Sequence, residues 1–232
     1  MSPAPLIAAT ISERAAELVK SGMIVGLGTG RAATAFIRSL GGKVQAGLTI
    51  RGVPTSEASA QLATQLGIPL TTLDEVDQLD LTIDGADEVD PRGNLIKGYG
   101  GALVREKIVA AASRRLVILV GDEKLVPVIG SRGMLPVEVL KFGLAATARH
   151  LQSLGLCPQV RQAGGAPFVT DNGNYILDCG TGAIERPVEL EAKIMAIPGV
   201  VGTGLFLGMA DMVLIQCGPQ VEIHEYQRDR VH

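Results

Sequence analysis

The sequence has little that would serve nucleic-acid recognition. It contains no tryptophan, and aromatic residues make up only 3% of the chain. Unpaired bases stack on aromatic side chains, so this scarcity disfavours such a site. The formal net charge of −3 also lacks the cationic excess that binding to a phosphate backbone requires. We therefore expect no nucleic-acid partner.

Cysteine is also scarce, and long apolar runs are missing. Cys157, Cys179 and Cys217 are far apart and form no Cys-x-x-Cys pair, which is typical of reduced thiols in a cytoplasmic protein. Residues 1–10 show no basic start and no long apolar block, so we expect no secretory signal. The hydrophobic stretch 196–215 is broken by a proline, an aspartate and four glycines, which favours buried strands over a membrane span.

Glycine and apolar residues are what the chain has in abundance. Its 232 residues include 29 glycines, and 47% of them are hydrophobic. A chain of this length and hydrophobicity can bury a stable core, which argues against disorder. The glycines form no repeat, so we expect them at turns and where a ligand meets the backbone.

Short apolar runs alternate with helical patterns in the first part of the chain. This rhythm is typical of βαβ units and a parallel sheet, and it predicts an α/β fold. The predicted strands are 23–27, 48–53, 79–83 and 116–120. The predicted helices are 7–19, 32–40 (ended by Gly41 and Gly42), 56–66 and 101–113.

The regular alternation of predicted strands and helices ends after about residue 130. This change predicts a second, smaller α+β domain over residues 131–206. The first domain is then expected to comprise residues 1–130 and 207–232, because an apolar strand at 212–217 can return to the first sheet. A polar tail that includes His224 is expected to be solvated. The segments predicted within the second domain are strands 135–140 and 200–206, helices 143–154 and 187–197, and a hairpin of 168–170 with 175–179 around the turn 171–174.

The first candidate loop is Gly-Leu-Gly-Thr-Gly-Arg at 26–31, between a predicted strand and a helix. Glycines allow backbone amides to point at an anion, and a helix N-terminus adds partial positive charge. Thr29 offers a hydroxyl and Arg31 a guanidinium suited to phosphate. The loop is neither a dinucleotide fingerprint nor a Walker loop. A tight turn without a ligand is the alternative.

The second candidate loop, Asp-Gly-Ala-Asp-Glu-Val-Asp at 84–90, directly follows a predicted strand. Its four carboxylates repel one another, which favours one or two of them facing a ligand rich in hydroxyls. A solvated acidic turn and a divalent-metal site are the alternatives, although the spacing does not fit an EF-hand.

The third candidate loop places Lys97 before a glycine turn and Glu106 early in the following helix. Glu106 is either a base facing the same pocket as Lys97 and Asp84, or a partner of the helix dipole. Lys97 is either part of that pocket or a surface lysine. Together the three loops offer a phosphate cradle, acids, a cation and a base, which suits proton transfer next to a carbonyl of a small phosphorylated molecule.

The order of these segments resembles type A ribose-5-phosphate isomerases along nearly the whole chain. The acidic motif and the Arg-Glu-Lys motif, at this separation, are specific to that family. The segments that carry the likeness are Gly-Leu-Gly-Thr-Gly (26–30), Asp-Gly-Ala-Asp-Glu (84–88), Ile-Lys-Gly-Tyr-Gly-Gly-Ala (96–102), Arg-Glu-Lys-Ile-Val (105–109), Leu-Pro-Val-Glu-Val (135–139), Thr-Asp-Asn-Gly-Asn (170–174) and Ile-Pro-Gly-Val-Val (197–201).

The resemblance implies a Rossmann-like domain with a smaller α+β domain, a homodimer or tetramer, and interconversion of ribose 5-phosphate and ribulose 5-phosphate without metal or cofactor. This reaction belongs to the non-oxidative pentose phosphate pathway. Glu106 would be the base, Asp84 and Asp87 would assist ring opening, and Lys97 would help stabilise the enediolate. The implied substrate-binding residues are Asp84, Asp87 and Lys97, together with Thr29, Gly30, Arg31, Ala32, Gly85, Ala86, Gly98, Tyr99, Gly100 and Lys124.

The phosphate loop departs from the family pattern. Arg31 and Ala32 stand where the family usually has serine and threonine, and Ala8 stands where many members have a lysine. Our hypothesis is that Arg31 supplies the missing cation. Two other functions remain open: an amino-sugar-phosphate isomerase-deaminase, which is generally thought to use a histidine that these loops lack, and a sugar-phosphate sensor without a catalytic base.

Overall fold

The computed structural model describes residues 10–227. The helices within this range are α1 (Ile11–Glu17), α2 (Arg31–Gln45), α3 (Glu57–Gln65), α4 (Leu103–Ala111), α5 (Leu144–Ser153) and α6 (Pro187–Met195). The strands are β1 (Ile24–Leu27), β2 (Arg51–Pro54), β3 (Leu81–Gly85), β4 (Glu88–Val89), β5 (Leu95–Ile96), β6 (Leu116–Gly121), β7 (Met134–Val139), β8 (Cys157–Val160), β9 (Gln162–Ala163), β10 (Ala166–Pro167), β11 (Tyr175–Gly180), β12 (Val200–Thr203), β13 (Leu205–Phe206), β14 (Met212–Cys217) and β15 (Gln220–Glu225).

A six-stranded sheet forms the centre of the fold, in the order β15-β14-β6-β3-β1-β2. Neighbouring strands from β14 to β2 pair in parallel, and β15 adds an antiparallel edge. The predicted α/β class is therefore confirmed, and so is the return of the strand at 212–217 to the first sheet. No helix within residues 10–227 is both long and apolar enough to cross a bilayer.

Apolar side chains fill both faces of the central sheet. Along β6, Val117 and Leu119 join the core beneath α1–α3, whereas Leu116, Ile118 and Val120 join a separate core with Phe206 on the other face. This alternation follows from the two-residue period of a strand. It also explains why the buried strands read as continuous apolar runs in the sequence.

Helix α2 is longer than the sequence predicts, because it continues through Gly41 and Gly42 to Gln45. The expectation that this glycine pair ends the helix is wrong. A Cβ on Gly41 would lie 2.8 Å from the Cβ of Leu66, so this glycine allows close packing next to α3. Gly42 is exposed, with no atom within 4 Å of the corresponding position.

A four-stranded antiparallel sheet, in the order β12-β7-β11-β8, lies within residues 134–203. The predicted hairpin is wrong in its pairing. Only Val169 bridges Tyr175, whereas β11 pairs along its length with β7 and also with β8, a strand that the sequence did not predict. The turn at 171–174 does form, since Thr170 N donates to Asn174 O. The domain boundaries near residues 130 and 207 stay a prediction.

The expected strand 200–206 is two strands in two sheets. Strand β12 pairs with β7, while β13 pairs with β5 in a three-stranded sheet of the order β13-β5-β4. Gly204 lies between them, and a Cβ there would come within 2.2 Å of the carbonyl oxygen of Lys97. His224, expected in a polar tail, lies in strand β15 and is exposed to solvent. Residues 228–230 of that tail lie outside the described residues.

The two adjacent glycines of α2 provide a matched test of this packing. Gly42→Ala should raise the free energy of unfolding by about 1 kcal/mol, because alanine favours a helix over glycine and meets no neighbour. Gly41→Ala should lower it by about 1–3 kcal/mol, because Leu66 must be displaced. Urea unfolding of both variants measures the difference. Equal stabilisation by both substitutions would contradict the close packing.

Candidate active site

The three candidate loops meet at the carboxyl ends of β1, β3 and β6, where ligands bind in parallel sheets. They surround a cavity of about 540 Å³. Asp84 and Tyr99 are described residues that do not line it: Asp84 is buried beneath, and the Tyr99 hydroxyl accepts a hydrogen bond from Met134 N. The predicted residues that line the cavity are Thr29, Gly30, Arg31, Ala32, Gly85, Ala86, Asp87, Lys97, Gly98, Gly100, Glu106 and Lys124.

Lys97 is the buried cation of the site, with 2% of its residue exposed. Its Nζ lies 3.0 Å from both Asp84 Oδ2 and Glu106 Oε1, and it donates to the carbonyl oxygen of Gly85. Burial alone lowers the pKa of Lys97, but the two carboxylates outweigh it and hold the pKa above its usual value. The surface-lysine alternative is therefore wrong.

Asp84 is held beneath the cavity by the backbone of the glycine loop. Its Oδ1 accepts hydrogen bonds from Thr29 N at 3.0 Å and from Gly85 N at 2.8 Å. A Cβ on Gly28 would lie 2.2 Å from this oxygen, so the glycine is needed for the two loops to meet. Asp84 thereby connects the glycine loop at 26–31 to the ammonium of Lys97.

Glu106 lies in the first turn of α4, but it is buried rather than exposed to solvent as a helix-dipole partner would be. Its Oε1 accepts a hydrogen bond from Lys97, and its Oε2 is buried with no hydrogen-bond partner within residues 10–227. Burial raises the pKa of Glu106 to about 8; the Lys97 ammonium lowers it and the Asp84 carboxylate raises it. A carboxyl group tuned in this way suits a general base.

The other carboxylates of the second candidate loop (84–90) each accept hydrogen bonds from backbone amides. Asp87 Oδ2 accepts from Tyr99 N at 3.0 Å. Glu88 accepts from Gly130 N and Arg132 N, and Asp90 accepts from the backbone of Arg92 and Asn94. The solvated-turn alternative is wrong, because Asp84, Glu88 and Asp90 are buried. Burial raises the pKa of Asp87, although the hydrogen bond from Tyr99 N lowers it.

The outer end of the cavity presents donors suited to an anion. Helix α2 begins after Gly30, whose φ of 97° requires glycine, and no side chain among the described residues caps it. Gly30, Arg31 and Ala32 at this helix N-terminus line the cavity together with Lys124. Within residues 10–227, no group of three or more His, Cys, Asp or Glu side chains is arranged to hold a metal ion.

Several residues of this site were not found by sequence reasoning. The Thr29 hydroxyl contacts Thr55 at 2.7 Å and donates to Ser56 at 2.8 Å; both residues follow β2. Their place after a strand of the parallel sheet was the available signal. Thr10 and Ser12 also line the cavity, and nothing in the sequence pattern marked them. Ala8, where the family often has a lysine, lies outside the described residues.

Comparison with known proteins gives a consistent result. A family model described as ribose 5-phosphate isomerase A (phosphoriboisomerase A) matches residues 51–218. The ribose-5-phosphate isomerase A of Roseiflexus sp. (strain RS-1) is 54% identical over 218 residues, which cover 92% of this chain and 93% of that protein. The protein of the same name from Gloeobacter violaceus is 54% identical over 216 residues, which cover 92% and 94%.

Solved structures agree with the sequence relatives. Ribose 5-phosphate isomerase A from Methanocaldococcus jannaschii superposes with a TM-score of 0.88 at 40% identity, covering 93% of this chain and 96% of that chain. A D-ribose-5-phosphate isomerase in complex with phospho-erythronic acid superposes with a TM-score of 0.89 at 37% identity, covering 92% and 95%. The chain belongs to the ribose 5-phosphate isomerase A family.

Proposed function

We propose that the protein interconverts D-ribose 5-phosphate and D-ribulose 5-phosphate through an enediolate. The observation that carries this proposal is the Glu106 carboxyl group, which lines the cavity with one oxygen on Lys97 and the other unpaired. The relative solved with phospho-erythronic acid supports a phosphorylated sugar as the ligand class. In metabolism this places the protein in the non-oxidative pentose phosphate pathway.

In this reaction Glu106 removes the proton from C2 of the open-chain aldose. The electron pair moves into the C1–C2 bond, and the carbonyl oxygen at C1 takes the negative charge. The proton of the C2 hydroxyl is then transferred to the oxygen at C1, and Glu106 returns its own proton to C1 as the ketone forms at C2. A positioned base contributes a factor of about 10²–10⁴ to the rate. The unpaired Oε2 of Glu106 is the atom suited to carry the proton.

Lys97 would stabilise the negative charge of the enediolate. Its ammonium is already fixed in place by Asp84 and Gly85, so little reorganisation is needed when the negative charge of the enediolate develops. Asp84 is proposed to orient Lys97 from below, whereas Asp87 lines the cavity and can exchange protons with sugar hydroxyls during ring opening. The raised pKa of Asp87 suits that exchange.

The phosphate is proposed to bind at the outer end, between the start of α2, Arg31 and Lys124. Arg31 is exposed and lines the cavity, so it can replace the serine and threonine hydroxyls that other members of the family have in this loop. Holding the phosphate fixes the distant C1 and C2 against Glu106. Such positioning can supply up to about 7–11 kcal/mol of barrier reduction in favourable cases.

We further propose that the protein is cytoplasmic and works as a homo-oligomer, a dimer or a tetramer. All three cysteines are free, and burial raises the pKa of Cys179 to about 12, so this thiol is kept in its unreactive form. Oligomer contacts are proposed for the domain at residues 131–206, where Phe142 is 93% exposed and Val188 is 69% exposed.

Glu106→Gln tests the base directly. We expect kcat to fall by about 10²–10⁴-fold, because glutamine keeps the size of the side chain but cannot accept the proton. The dissociation constant for ribose 5-phosphate, measured by calorimetry, should change by only a few-fold. Glu185→Gln, at an exposed position, is the control and should leave both values unchanged. A kcat within tenfold of the wild type would refute this role of Glu106.

Arg31→Ala tests the phosphate end. Loss of one charge-assisted contact is worth about 1.5–3 kcal/mol, so we expect KM to rise by about 10–100-fold, with a much smaller fall in kcat. Arg38→Ala, at an exposed position on the same helix, is the matched control and should leave KM unchanged. Steady-state kinetics with ribose 5-phosphate gives both constants. An unaltered KM in Arg31→Ala would defeat the hypothesis.

A further inference from the structure

Arg161 connects the antiparallel sheet to the turn at residues 98–101, which directly follows Lys97. It directly follows β8, and its Nη1 donates to Gly98 O at 2.8 Å and to Tyr99 O at 3.1 Å. Its side chain is only 14% exposed. Arg161 does not line the cavity among the residues described there, so its contact is with the backbone that carries the site.

The guanidinium of Arg161 is itself held from the other side. Its Nε donates to Asp178 Oδ2 at 2.9 Å, and its Nη2 donates to Asp178 Oδ1 at 2.5 Å. Asp178 lies on β11 with its side chain 12% exposed, and the Phe168 ring centroid lies 6.0 Å from the guanidinium carbon. A two-point pair of this kind fixes the plane of the guanidinium as well as its position.

The turn at residues 98–101, which Arg161 contacts, is linked to three groups of the site. Lys97 precedes it directly, and Tyr99 N within it donates to Asp87 Oδ2 at 3.0 Å. The turn closes through Gly101 N donating to Gly98 O at 3.0 Å, and α4 with Glu106 begins two residues later. Gly98 has a φ of 109°, a conformation that glycine adopts readily, and because glycine is also the most flexible residue, contacts from outside the turn help to fix it.

We propose that Arg161 is a positioning residue for the isomerisation, anchored by Asp178, which keeps the turn at 98–101 in the conformation that aims Lys97 and Asp87 into the cavity. This inference rests on the proposed function. It gives the antiparallel sheet a part in the reaction. Lysine cannot substitute, because one ammonium cannot form both the paired contact with Asp178 and the contacts with the two carbonyls.

Arg161→Lys is the variant that tests this proposal, because it keeps the positive charge but loses the planar guanidinium that forms two hydrogen bonds with Asp178. We expect kcat to fall by about 10–100-fold and KM for ribose 5-phosphate to change by less than threefold, since the phosphate end is untouched. The acidic limb of the kcat profile should move to higher pH, because a displaced Lys97 no longer lowers the pKa of Glu106. Arg186→Lys, in an exposed ion pair, is the control and should leave the kinetics unchanged.

Asp178→Asn provides the second variant, because it keeps the side-chain volume and removes only the carboxylate. It should give a smaller fall in kcat with the same shift of the pH profile. The proposal is overturned if folded Arg161→Lys keeps kcat within twofold, if only KM rises, or if neither variant folds, since Arg161 would then be purely structural. Lack of isomerase activity in the wild type would instead refute the proposed function.

Discussion

Lys97 Nζ lies 3.0 Å from one oxygen each of Asp84 and Glu106, and all three side chains are almost fully buried. Burying an ammonium costs several kcal/mol, and the acidic groups beside Lys97 offset that cost. Burial raises the pKa of Glu106, the Lys97 ammonium lowers it, and the neighbouring Asp84 carboxylate raises it. Asp84 also accepts two backbone hydrogen bonds, whereas Glu106 Oε2 accepts none within residues 10–227, so Glu106 is the carboxyl group that is free to exchange a proton.

Much of the fold and part of the site could be predicted from the sequence. Buried parallel strands are short apolar runs, and their carboxyl ends meet at one edge, so the loops after β1 and β3 were expected to converge. Three errors share one cause. The continuation of α2 past Gly41, the partners of β11 and the hydroxyls near Thr29 all depend on contacts between distant segments, which leave no periodic pattern in the sequence.

Residues from the second half of the sequence support the site through close contacts with the chain around Lys97. Lys97 N donates to Gly204 O, and a Cβ on Gly101 would lie 2.5 Å from the Phe168 ring, so the chain around Lys97 is packed against residues from the second half of the sequence. Arg161 and Asp178 add a charged connection on the same side. Lys97, which precedes a glycine turn, is therefore held in place by residues from the second half of the sequence.

The most direct measurement is a carbon-13 NMR titration of the glutamate δ-carboxyl groups, with the Glu106 resonance assigned by its absence in Glu106→Gln. Burial beside Asp84 predicts a midpoint of about 8, so that Glu106 carries its proton below that pH and becomes a base above it. A midpoint near the usual 4.5 of a glutamate would show an ordinary ionised side chain and would contradict the account.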